Sequence, residues 1–73
     1  MPTKTRSVYR VFITMNGVNY YANRSNSPLP HVAWFPYAQE YPDNFTMGEA
    51  REIAEFYSEQ LPTIDKLQVS EDE

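Results

Sequence analysis

Asn16-Gly17 lies between two runs of alternating β-branched and aromatic residues, 8–15 and 18–24. Asn-Gly supplies two residues that tolerate positive φ, as a tight type I′ turn requires, so this dipeptide between such runs predicts a β-hairpin. A two-residue turn also fixes the register: Met15 opposes Val18, Ile13 opposes Tyr20, Phe12 opposes Tyr21 and Val11 opposes Ala22. Because side chains alternate along a strand, one hairpin face collects Tyr9, Val11, Ile13, Met15, Val18, Tyr20 and Ala22 and is the expected core face. The other carries Arg10, Phe12, Thr14, Asn19, Tyr21 and Asn23.

A hairpin alone is marginal in water and needs further elements to bury its apolar face. Thr46 with Glu49 forms a capping box, with Phe45 placed to staple onto Ala50, so a helix should begin near Met47. Met47, Ala50, Ile53, Ala54, Tyr57 and Leu61 follow at helical spacing and should pack on the hairpin, with Leu61-Pro62 ending the helix. Residues 31–35 fit a short strand with Val32 and Trp34 on one side and Ala33 and Phe35 on the other. Residues 66–69 fit a last short strand beside the hairpin. Residues 25–30 read as a polar loop, and 36–44, with two prolines and two tyrosines, as an ordered aromatic loop lying over part of the sheet. The expected fold is α+β: a small antiparallel sheet, the N-terminal hairpin plus one or two short strands, against one amphipathic helix in the order β-β-(β)-α-β. Residues 1–6 and 70–73 are expected to be flexible ends of a single domain.

At 73 residues there is room for one core, and a chain of this size buries only about 60% of its unfolded surface. Without cysteine it has no disulfide framework and suits a reducing compartment. Residues 1–7 lack the apolar run of a signal peptide, and no stretch approaches the roughly 20 apolar residues of a membrane span. A cytoplasmic location without membrane attachment is expected.

Catalysis and cofactors are not expected. His31, the single histidine, sits between Pro30 and Val32 with no carboxylate or nucleophile set beside it. Ser25, Ser27 and Ser58 lie outside any nucleophile elbow. The carboxylates are strung along a helix and a tail and do not cluster with histidine, which argues against a metal. Only Gly17 and Gly48 are available to shape a phosphate loop.

Binding fits the composition better. Phe35, Tyr37 and Tyr41, with Trp34, are residue types that dominate protein interfaces, although one or more rings, Trp34 first, should be core. Glu49, Glu52, Glu55 and Glu59 give the helix an acidic surface that could meet a basic groove, or simply face solvent. Phe12 and Tyr21, with Arg10 and Arg24, offer an aromatic and basic platform for single-stranded nucleic acid, unless they support the loop folded across them. The net charge of -4 opposes that use. All four cations of residues 1–39 precede the first acid, Glu40. The two halves can therefore attract each other or dock partners of opposite sign.

The layout of a strand ending at Asn16-Gly17, a Tyr20-Tyr21 strand, a Trp34 loop, Phe45-Thr46 with Glu49-Ala50, Ile53-Ala54 and a terminal strand resembles small phage-encoded hairpin-and-helix proteins. That resemblance implies a phage or prophage accessory protein in bacterial cytoplasm, from a group that includes anti-CRISPR-type inhibitors of host defence. The proline-rich segment 25–44 departs from the pattern and marks where a function private to this chain would reside. The leading expectation is an inhibitor or modulator that binds a host protein. Alternatives are a nucleic-acid-binding accessory protein and a structural or regulatory homodimer formed by edge pairing of the hairpin.

Overall fold

The computed structural model describes residues 4–71. Four strands, β1 (Lys4–Met15), β2 (Val18–Arg24), β3 (Val32–Pro36) and β4 (Thr63–Glu71), form one antiparallel sheet in the order β3-β2-β1-β4. A single helix, α1 (Met47–Phe56), packs against one sheet face. The fold is the expected α+β arrangement, and the bracketed third strand is present.

Asn16 and Gly17 adopt left-handed φ angles of 53° and 77°, as a type I′ turn demands. The ladder leaving the turn has the expected register through Met15↔Val18, Ile13↔Tyr20 and Phe12↔Tyr21. Contrary to expectation, it stops there, and Val11 does not pair with Ala22. Below that point Tyr9 bridges to Phe45 instead, donating to its carbonyl at 2.9 Å and accepting its N–H at 2.7 Å. The segment before α1 thus takes the place beside β1 that β2 vacates, and β2 turns away to pair with β3 from Tyr20↔Pro36 to Arg24↔Val32.

The wedge sets the core. Val11, Ala22, Phe45, Ala50 and Ile53 are buried together, ringed by Tyr9, Leu29, Val32, Trp34, Tyr57 and Ile64. Val32 and Trp34 both point to this side, as expected, and Trp34 meets Tyr57 edge-on at 5.2 Å. The Tyr57 hydroxyl also bonds both backbone groups of Val32, spanning from helix end to sheet edge.

α1 begins with the full capping box: Glu49 N–H donates to Thr46 Oγ1 at 3.1 Å and Thr46 N–H to Glu49 Oε1 at 2.9 Å. It ends earlier than expected, at Phe56. Pro62 disfavours helical backbone at Leu61, so the chain tightens into a 3₁₀ turn (Ser58–Gln60) and Leu61 reaches φ 53°. Leu61 therefore leaves the apolar stripe and is 83% exposed. Ten helical residues span about 15 Å whereas the twelve of β1 span about 40 Å. The hairpin tip, with Met15 and Val18, consequently projects beyond the helix and remains exposed.

β4 is longer than the expected 66–69 strand and pairs with β1 from Phe12↔Thr63 down to Lys4↔Glu71. Residues 4–6 and 70–71, read from sequence as flexible, are therefore ladder partners; residues 1–3, 72 and 73 lie outside the described residues. The β1–β4 pairing also sets Arg10 opposite Asp65, and Arg24 stands 3.5 Å from Glu49, so part of the charge asymmetry between the two halves is answered within the fold.

Candidate interaction face

The sheet face turned away from α1 is built from the alternate residues of the same strands. Phe12 and Tyr21 oppose each other in the β1–β2 ladder, and Phe35 opposes Tyr21 in the β2–β3 ladder. All three rings thus rise from one face and are half-buried, with the Phe12 and Tyr21 centroids 5.2 Å apart.

The aromatic loop lies over this floor. Directly after β3, the N–H groups of Gln39 and Glu40 both donate to Pro36 O, turning the chain back across the sheet. Tyr37 meets Tyr21 edge-on at 5.8 Å and lies tilted against Tyr41 at 5.6 Å. Tyr41 is held from beneath by Arg10, whose Nη2 donates to its hydroxyl at 3.2 Å and whose guanidinium lies 5.1 Å from its ring centroid. Arg10 Nε donates to Asn44 Oδ1 at 3.2 Å. Two further ties come from β2: buried Asn23 donates through Nδ2 to Tyr41 O at 2.9 Å, and Arg24 N–H donates to Asp43 Oδ2 at 2.6 Å. The loop is fixed at both ends while Tyr37 and Tyr41 stay 49% and 63% exposed.

This arrangement has an electrostatic signature. The hydrogen bond from Arg10, its positive charge and a hydrogen bond from Tyr37 together hold the Tyr41 phenol below its ordinary value of 10.0.

The residues singled out from sequence sort into two surfaces. Phe35, Tyr37 and Tyr41 join Arg10, Phe12 and Tyr21, so the interface residues and the platform residues occupy one face. Arg24 does not belong to it. Alternation along β2 turns Arg24 to the helix side, where its guanidinium lies 4.6 Å from the Phe45 ring centroid and its Nη2 stands 3.5 Å from Glu49 Oε1. Glu49 is likewise committed to the capping box, leaving Glu52 and Glu55 exposed on α1 and Glu59, expected on the helix, exposed on the 3₁₀ turn that follows it. Since α1 covers the opposite sheet face, its acids and the aromatic loop cannot form one continuous contact patch.

Asn23, Asp43 and Asn44, the anchors of the loop, were not legible as such. Their partners lie 18 to 34 residues away in sequence, and Asp43-Asn44 carries only a turn signal. His31 rests edge-on against Phe56 at 4.8 Å. Among the described residues no three His, Asp or Glu side chains gather as a metal site, and no helix is long and apolar enough to cross a membrane. A concavity of about 290 Å³ lies between β1 and the start of α1, lined by Val8, Arg24, Phe45 and Met47 among others. Of its charged residues Arg6, Arg24 and Glu49, the last two are paired with each other.

No protein-family model, curated protein or solved structure matches the chain. The chemistry of the aromatic face must carry the functional reading.

Proposed function

We propose that this chain is a non-catalytic binding protein that covers a site on a host protein with its aromatic face, as a phage or prophage accessory protein in bacterial cytoplasm would. The observation that supports the reading is that Tyr37 and Tyr41 are exposed yet already fixed, by Arg10, Asn23 and Tyr21. Tyrosine and arginine are enriched among residues that dominate binding energy, and rings ordered before contact lose little entropy on docking. Inhibition would follow by occlusion, one copy per target.

The exposed acids of α1 act in this scheme as a field and not as contacts. They favour a target with a basic groove and speed encounter with it. A nucleic-acid partner is the competing reading. It loses Arg24 to the helix side, keeps an Arg10 already bound to Tyr41 and Asn44, and must overcome the net charge of -4.

The test is affinity capture from bacterial lysate with the tagged chain, with and without nuclease, followed by mass spectrometry. A protein retained after nuclease, and lost with Tyr37→Ala/Tyr41→Ala but kept with Glu52→Gln/Glu55→Gln, is the expected result. Two such tyrosines at about 2 kcal/mol each weaken binding by on the order of 1000-fold. Capture that disappears with nuclease would replace this reading with the nucleic-acid one.

A further inference from the structure

The two edges of the sheet are unlike. β3 is five residues long, ends in Pro36 and follows Pro30; a short strand bounded by prolines is a poor template for another chain. β4 is nine residues long, contains no proline and neighbours β1 alone. Its outer row of N–H and C=O groups faces no other strand among the described residues.

We propose that β4 pairs antiparallel with β4 of a second copy in the register centred on Leu67, giving a twofold dimer with one continuous eight-stranded sheet. A twofold axis normal to the sheet keeps the helix faces together, so each residue must meet one pointing to its own side. Every register centred on a residue satisfies this, so overlap and charge must choose among them. The Leu67-centred one pairs all nine residues, setting Leu67 on its own copy, Lys66 on Gln68, Asp65 on Val69 and Ile64 on Ser70. Centring on Lys66 or on Asp65 places that charge on itself, and centring on Gln68 shortens the ladder from nine residues to seven. Like charges directly opposed destabilise a sheet, so the full-length register is also free of that penalty, and the others that avoid it pair fewer residues. The apolar content agrees, since Ile64, Leu67 and Val69 are each half-buried in the single chain and gain cover along the seam.

This dimer does not depend on the proposed function, but it has a consequence for it. The axis preserves the faces, so both aromatic faces look the same way, with the two β2 strands about 24 Å apart at the usual strand spacing. A dimeric or repetitive target would then be held at two points.

Sedimentation equilibrium of the full chain across micromolar concentrations should approach twice the 8.6 kDa chain mass. The register is read by cross-linking, because the chain has no cysteine of its own. In Leu67→Cys the two introduced residues face each other with Cα atoms about 5 Å apart, within disulfide reach. In Ser70→Cys they lie about 20 Å apart along the strands. Mild oxidation should therefore convert L67C, and not S70C, to a covalent dimer whose far-UV circular dichroism matches the unmodified chain. A monomeric mass at every concentration, failure of L67C to cross-link in a dimeric sample, or equal cross-linking of S70C would each overturn the proposal.

Discussion

Tyr9 and Phe45 exchange both backbone hydrogen bonds across the gap where β2 leaves β1, at 2.9 and 2.7 Å. This single bridge connects the two sides of the protein. On one side Phe45 enters the core beside Val11 and Ile53, and on the other the chain that leads to it, 37–44, carries the exposed tyrosines.

Phe45 is 2% exposed at the centre of that join. Removing the ring leaves a cavity under α1, at a cost of about 3–5 kcal/mol. Small domains hold only about 5–15 kcal/mol in total. Phe45→Ala should therefore abolish, or shift far toward zero denaturant, the cooperative urea transition followed by tryptophan fluorescence of Trp34. A midpoint close to the unmodified protein's would mean that the wedge is dispensable.

The capping box separates two roles of one residue pair. Thr46→Ala deletes the acceptor for Glu49 N–H and should cost about 1 kcal/mol, lowering Tm by about 4–8 °C in a domain of this size. Glu49→Gln can still accept from Thr46 N–H and loses only the half-exposed ion pair with Arg24, so its Tm should move by much less. Calorimetry of both variants decides the matter; equal losses would assign the stabilisation to the charge.

Leu61 holds a left-handed φ of 53° with its side chain 83% exposed. Left-handed backbone costs a residue with Cβ about 1–2 kcal/mol, while glycine's freedom in the unfolded chain offsets part of the relief. Leu61→Gly should thus stabilise by about 0.5–1 kcal/mol, seen as a higher Tm, despite removing a large side chain. A lower Tm would show that Leu61 packs in a way its exposure denies.

Tyr41 should ionise below 10.0, chiefly through the hydrogen bond from Arg10. Ultraviolet titration of the phenols should resolve one early tyrosine, and Arg10→Met should return it to the ordinary range. Because a lowered acid pKa stabilises only the ionised form, this contribution is complete above 10.0 and is lost as pH falls through the lowered value. An unchanged titration curve in the Arg10 variant would remove Arg10 as the cause.

What the amino-acid sequence determined by itself was local. Asn16-Gly17 imposes its turn and register through φ, and Thr46 with Glu49 imposes a helix start through two reciprocal hydrogen bonds. Alternation places Val32 and Trp34 on one side of their strand, with Ala33 and Phe35 on the other. None of these needs a partner more than a few residues away. The tertiary structure decided everything that depends on distant segments meeting: the Tyr9–Phe45 bridge in place of Val11–Ala22, the nine-residue β4, and the early end of α1. It also brought Tyr37 and Tyr41 onto Arg10 and Tyr21, merging two candidate surfaces into one, and sent Arg24 to Glu49 on the other side of the sheet. Hydrogen bonds across 18 to 34 residues, such as those of Asn23 and Arg10 to the loop, leave no periodic trace in sequence. Their energy appears only once the sheet has fixed both partners.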